Sequence, residues 1–270
     1  MSYPGPPQKS ATQQTWARLG EAILSLVYPR VCRVCQAVLD EEAPLTGLEN
    51  WMCKTCLDDL VRIDAPYCSV CGEPFAGAMD RAFKCSNCEG RRLAFEFAIS
   101  GFKAAGAMRE LLHQFKYSGD LTLRSALADA LIHTLDEPRL AAEDLSTWVL
   151  VPVPLHWLRE LRREFNQSWE LCLQLSARTG IPAARVLRRN RMTMTQAKLS
   201  RTARLQNLRG VFSIRHALPF LHWDKNRVQG RKVLLVDDVL TTGTTAHECA
   251  KILKRDAGAE KVVVITVARG

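Results

Sequence analysis

Eight of the ten cysteines fall into four Cys-x-x-Cys pairs: Cys32 and Cys35, Cys53 and Cys56, Cys68 and Cys71, Cys85 and Cys88. A Cys-x-x-Cys turn aims two thiolates at one point, and two such turns complete a tetrahedral shell for Zn²⁺. Thiolate-only ligation leaves no open coordination position, so two structural zinc ions are expected rather than a catalytic one. The segment that holds them has few large apolar side chains, and a module of about 60 residues so composed has little core without a metal. Redox pairs, core-filling thiols and an iron–sulfur cluster are the alternatives; four pairs in tandem favour zinc. Two sequential ribbons is the simplest pairing, and an interleaved one, first pair with third, stays open. Cys172 and Cys249 lie in helical patterns far from any partner and read as buried core thiols.

The second constellation lies at residues 233–246. An apolar run, Val233 to Val236, delivers the adjacent acids Asp237 and Asp238 to its C-terminal end, where open α/β sheets bind ligands. Thr241, Thr242, Gly243, Thr244 and Thr245 then lead into a helix. Backbone N–H groups and threonine hydroxyls at a helix start can wrap a phosphate, and the helix dipole favours its charge. The acids suit ribose hydroxyls or a Mg²⁺ held through water. An ordinary strand–turn–helix with a threonine-rich cap is the bland alternative.

This stretch resembles the signature of type I phosphoribosyltransferases, which bind 5-phosphoribosyl-1-pyrophosphate (PRPP). The resemblance implies Asp237 and Asp238 as the candidate catalytic acids facing the ribose hydroxyls, with residues 241–245 around the 5-phosphate and Mg²⁺ bound with PRPP. Purine-salvage members carry an acid where this chain has Thr241, which argues against a purine base as acceptor. Residues 151–156, Val-Pro-Val-Pro-Leu-His, followed by Arg162, Arg163, Glu164, Phe165, Asn166 and Gln167, are similar to a pattern of the ComF family. Leu187, Arg188 and Arg189, then Thr195, Gln196, Leu199, Ser200, Arg204 and Asn207, extend the likeness, as do Lys116, Tyr117, Gly119 and Asp120. Glu164 departs from it, since the family usually has glycine there. The resemblance implies a link to natural competence, the cytoplasmic handling of incoming single-stranded DNA, and competence or recombination proteins as partners. It leaves the reaction of the phosphoribosyltransferase domain open.

These residues need a scaffold. The expectation is an α/β protein: a type I phosphoribosyltransferase fold, a mostly parallel sheet flanked by helices, preceded by a small zinc-ribbon module. Residues 1–14 read as a disordered leader and 15–29 as an amphipathic helix with its apolar face over residues 15–27, followed by the double ribbon at 30–92 and the phosphoribosyltransferase-like domain at 95–270. Strands are expected at 95–103, 147–153, 233–236 and 261–268. Helices are expected at 105–115, 121–135, 157–178 (with a break near Phe165, Asn166 and Gln167) and 246–256. Residues 190–210 have weak periodicity and read as a long mobile loop.

Charge is concentrated. Residues 155–232 hold 17 Lys and Arg against four acids, a local +13 in a chain of net +9. Such a segment implies an anionic partner, phosphates or nucleic acid, against the bland reading of a solvated surface. Arg163 and Lys116 are the candidates for a pyrophosphate or other anion contact, and Trp157, Trp169 or Trp223 for stacking on bases. His113, His156 and His247 have no triad-like or metal-like context and read as surface or satisfied core residues. No apolar run approaches the roughly 18–20 residues that span a bilayer, and the N-terminus lacks the apolar core of a secretory signal, which places the protein in the cytoplasm. An active transferase, a DNA-binding competence factor and a non-catalytic PRPP sensor remain as functional classes.

Overall fold

The computed structural model describes residues 29–39, 46–75, 77, 83–191, 210–215 and 227–270. The expected leader, the helix at 15–27, Trp223 and most of the 190–210 segment lie outside these residues. The chain divides into two compact units, Met1–Leu57 and Asp58–Gly270. The division falls inside the cysteine-rich module, so the second cysteine tetrad belongs to the larger unit.

The larger unit is built on four parallel strands in the order β1-β6-β5-β2: β1 (Ala98–Lys103), β2 (Val149–Pro152), β5 (Lys232–Leu240) and β6 (Lys261–Arg269). Their near-continuous apolar runs are the mark of strands covered on both faces. Alternate residues go to opposite sides. Val149, Val151, Val233, Leu235, Val262 and Val264 join one core with Ala246, Cys249, Ala250 and Leu253 of α5 (Thr244–Ala257). On the other face pack α2 (Leu123–Ile132) and α4 (Gln167–Thr179), which also pack on each other. Their buried positions, Leu123, Ala126, Leu127, Ala130 and Leu131, and Ser168, Leu171, Cys172 and Leu175, recur at helical spacing. Helix α1 (Gly106–Tyr117) does the same with Met108, Leu111, Leu112 and Phe115.

Several boundaries differ from expectation for local reasons. Strand β5 runs four residues past Val236, because Asp237, Val239 and Leu240 continue the parallel ladder with β6. The phosphate loop is correspondingly short, and Thr244 and Thr245 open α5 rather than precede it. Helix α1 extends through Lys116 and Tyr117. The expected helix at 157–178 divides into α3 (Trp157–Arg163) and α4. Glu164 adopts the left-handed conformation (φ 65°) that ends α3, and the Asn166 side chain accepts the Trp169 N–H at 3.2 Å to start α4. A two-stranded antiparallel sheet, β3 (Leu187–Arg189) with β4 (Phe212–Ile214), has no counterpart in the sequence reading. Three-residue strands give too short a period to detect. Among the described residues no helix is long and apolar enough to cross a membrane.

Candidate functional site

The cysteines form two sequential tetrads, Cys32, Cys35, Cys53 and Cys56, then Cys68, Cys71, Cys85 and Cys88, and so resolve the pairing against the interleaved alternative. In each, all four sulfurs lie within 4.8 Å of one another; Cys35 to Cys53 is 3.6 Å and Cys71 to Cys85 is 3.5 Å. Four sulfurs each about 2.3 Å from a Zn²⁺ sit about 3.8 Å apart, so both cages have the right size. Burial opposes ionisation of Cys32 and Cys68, but backbone N–H groups aimed at each sulfur outweigh it. They hold the thiols at about 6 and about 7. The Cys85 N–H, 3.3 Å from the Cys68 sulfur, is one of these donors. Burial and then the neighbouring thiols push Cys56 upward, since four crowded thiolates need a cation to coexist. Both tetrads fit zinc ribbons. Cys172 and Cys249 are fully buried, as expected of core thiols.

At the C-terminal edge of the sheet, Gly243 sits at the N-cap of α5 with φ 70° and no side-chain cap. A side chain there would meet Phe95 at an ordinary 3.6 Å, so it is the left-handed backbone, not space, that demands glycine. No side chain caps the first-turn N–H groups of α5, the arrangement that accepts an anion. The Thr242 and Thr244 hydroxyls lie 3.0 Å apart beside them. Thr241 is exposed, while Thr242 and Thr245 are half-buried.

Asp237 Oδ1 accepts the Ser168 hydroxyl at 3.0 Å and the Asp238 N–H at 3.0 Å. Burial, then the adjacent Asp238 charge, push its carboxyl up to about 7. Asp238 turns the other way and pairs with Lys116 at 2.9 Å. Adjacent acids, one of which resists ionisation, are a place where a divalent cation or ribose hydroxyls would relieve unfavourable charge.

Lys116 also lines a cleft of about 520 Å³ together with Tyr117, Arg159, Arg162, Arg163 and Glu164. Lys116 and Arg163, 47 positions apart in sequence, therefore meet, as parts of one basic wall. Arg163 is held by the Gln167 side-chain oxygen at 3.2 Å and the Tyr117 hydroxyl at 3.4 Å, with its guanidinium 5.1 Å from the Tyr117 ring centre. Sequence reasoning missed Ser168, Arg159 and Arg162 as members of this site. Ser168 follows Asn166 and Gln167 directly, and the i, i+3, i+4 spacing of Arg159, Arg162 and Arg163 puts all three on one helix face, the available signal. His156 Nδ1 accepts the Leu158 N–H at 3.3 Å and His247 Nδ1 the Ala94 N–H at 2.9 Å, while the His113 ring lies 4.9 Å from the Tyr117 ring at a 45° tilt.

Residues 23–89 match the double zinc ribbon domain family and residues 171–270 the phosphoribosyl transferase domain family. The chain is 30% identical to Competence protein F of Haemophilus influenzae, over 82% of this chain and 91% of that one. It is 32% identical to the DNA utilization protein YhgH of Escherichia coli, over 87% and 95% respectively. The chain belongs to the ComF family. A more distant member, Competence protein ComFC of Bacillus subtilis, is 25% identical over 90% of this chain and 96% of its own length. Partial overlap with a hypoxanthine phosphoribosyltransferase of Staphylococcus aureus has a TM-score of 0.32 at 14% identity, covering 54% of this chain and 64% of that one.

Proposed function

We propose that this ComF-family protein binds Mg²⁺–PRPP, or a closely related ribose 5-phosphate, at the edge where β5 meets α5. The observation that carries the reading is the order of the parts. An anion-accepting helix start, an acid pair and a four-cation cleft follow one another, and Lys116 belongs to both the acid pair and the cleft. PRPP has the same order: a 5-phosphate, a ribose diol and a pyrophosphate on the anomeric carbon. In this reading the Thr241–Thr245 backbone and hydroxyls hold the 5-phosphate, and Asp237 and Asp238 hold the ribose hydroxyls. Lys116, Arg163, Arg159 and Arg162 hold the pyrophosphate. Mg²⁺, when bound with PRPP, would neutralise the leaving group. Asp238, freed from Lys116 by the incoming ligand, would turn to the ribose hydroxyls, and the cations of the cleft would orient the leaving group and stabilise its charge. Thr241 has no acid–base capacity near neutral pH, so a purine acceptor is disfavoured.

The test is titration calorimetry with Mg²⁺–PRPP. Tight binding by the intact protein and a loss of about 100-fold in Asp238→Ala are expected, the scale of a charge-assisted hydrogen-bond pair. No binding by the intact protein would remove both the transferase and the sensor readings.

A second reading draws on two exposed aromatic rings, Tyr117 in the cleft and Trp157 at the start of α3. Tyr117, which lines the cleft with Arg159, Arg162 and Arg163, is 65% exposed, and Trp157, the first residue of α3, is 63% exposed. Bases stack on such rings while phosphates meet the cations. Single-stranded DNA, handled in the cytoplasm together with competence or recombination proteins, fits that surface. Binding of a labelled oligonucleotide should weaken linearly on a log–log salt plot. A salt-independent affinity would place the contact elsewhere.

A further inference from the structure

A loop that turns its N–H groups toward an anion turns its carbonyls the other way, and buried carbonyls need donors. Here three consecutive carbonyls are held from behind by two arginines. Arg269 Nη1 donates to the Leu240 carbonyl at 3.0 Å, to the Thr241 carbonyl, and to its neighbour Gly270 at 2.8 Å. Arg91 Nη1 donates to the Thr242 carbonyl at 3.3 Å.

Both arginines are anchored on the second cysteine tetrad. Arg91 also donates to the Asn87 carbonyl at 3.2 Å, within the Cys85–Cys88 turn. Arg269 Nη2 pairs with Glu73, two residues beyond Cys71, and lies 3.9 Å from the Cys71 sulfur. Arg269 is 94% buried, a position in which a cation needs nearby negative charge. Glu73 supplies one such charge, and four thiolates around one Zn²⁺ carry a net charge of about −2. The first tetrad, of the same composition, lies in the other compact unit.

We infer that the second ribbon is a positioning element for the phosphate loop. Arg269 is the positioning residue that links metal in the Cys68–Cys88 tetrad to anion binding at Thr241–Thr245. This rests on the reading of that loop as the phosphate site. The link is a coupling between two sites and is therefore reciprocal: metal favours ligand, and ligand retains metal.

The experiment uses the full-length protein as wild type and as Arg269→Lys, Cys71→Ser and Cys35→Ser. Three quantities are measured: zinc per chain, amide hydrogen exchange of residues 240–246, and Mg²⁺–PRPP affinity. Lysine keeps the charge but cannot fork between the thiolate side and three carbonyls. Arg269→Lys should therefore retain two zinc ions, exchange faster across 240–246 and bind Mg²⁺–PRPP about tenfold more weakly, within the usual range of site–site coupling. Cys35→Ser should lose one zinc with neither of the other effects. In that variant, saturating Mg²⁺–PRPP should slow release of the remaining zinc to a chelator. Cys71→Ser should lose the second zinc and the protection of 240–246 together. Unchanged exchange in Arg269→Lys, or an equal loss of loop protection in Cys35→Ser, would overturn the coupling. Failure of the wild type to bind Mg²⁺–PRPP, with exchange still faster in Arg269→Lys, would instead overturn the ligand reading and with it the reciprocal coupling, leaving only the positioning of the loop by the ribbon.

Discussion

The two anion-accepting ends of the proposed site are made of different material. The α5 end is backbone: Gly243 in a left-handed conformation, helix N–H groups, and carbonyls pinned by Arg91 and the buried Arg269. The cleft end is side chain: three arginines on the seven-residue helix α3, which buries none of its residues and ends on Glu164. Backbone donors lose little freedom when an anion arrives, whereas each arginine must be ordered from many rotamers. The α5 end should therefore supply most of the affinity, and the cleft should add selectivity for a second anionic group.

The largest break in that comparison is Gly243→Val. A β-branched residue at φ 70° is strained, and the loop should move rather than absorb about 2 kcal/mol, which corresponds to about thirtyfold in affinity. Titrations with PRPP and with ribose 5-phosphate should both weaken, because the two ligands share the 5-phosphate. Equal binding by the variant would mean that the phosphate sits elsewhere.

Protons act on the boundary between the ends. Asp237 has its carboxyl raised to about 7 from an ordinary 3.8, burial being the first cause. If Mg²⁺–PRPP takes only the ionised form, its affinity should fall about tenfold between pH 8 and pH 6, and Asp237→Asn should flatten that profile. The stability consequence has the opposite direction. A carboxyl whose folded pKa is raised contributes most stability below its unfolded value and loses it as pH rises through 7, so Asp237→Asn should gain relative stability toward pH 8. An affinity that rises on acidification would show that the protonated carboxyl, as a hydrogen-bond donor, is the binding form.

The same contrast governs what the sequence could convey. Cys-x-x-Cys spacing, the β5 run, the acid pair and the α5 start are local patterns; the cysteine cages form from the pairs that spacing marks, while β5 runs four residues longer and α5 begins two residues earlier than expected. The tetrad pairing stayed open until geometry separated the two cages. Arg269, 198 residues from Cys71, lies just past the strand expected at 261–268. Nothing near it in sequence signals three carbonyls and a thiolate. Ser168 on Asp237 and Lys116 on Asp238 are likewise meetings of helix and strand made only by packing. Charge counting found the basic segment but not its shape: Arg159, Arg162 and Arg163 face the cleft, whereas Arg185 and Arg178 pair with Glu160 and Asp129.

At the cleft end, Arg163→Ala should cost about fivefold in PRPP affinity, the scale of an exposed ion pair of about 1 kcal/mol. It should leave ribose 5-phosphate binding unchanged, because that ligand lacks the group the cleft receives. The effect should shrink further at 0.5 M salt. Equal weakening of both ligands would erase the proposed division of labour between the two ends.

The smallest effect concerns Glu164 itself. It occupies the left-handed position at the end of α3, with φ 65° and ψ −17°, where a side chain costs about 1 kcal/mol relative to glycine. It also places a carboxylate in a wall of cations. Glu164→Gly should therefore raise the melting temperature by about 2–4 °C, the shift that 1 kcal/mol produces in a unit of this size. Removing the negative charge should also strengthen, not weaken, the binding of PRPP. Glycine carries an entropic penalty in the unfolded chain that offsets part of the gain, so the sign of the shift is the decisive reading. A lower melting temperature would mean that the Glu164 side chain makes a stabilising contact that outweighs its backbone strain. Weaker PRPP binding would show that the strained turn aims Arg163, and that the cleft is more rigidly built than its exposure suggests.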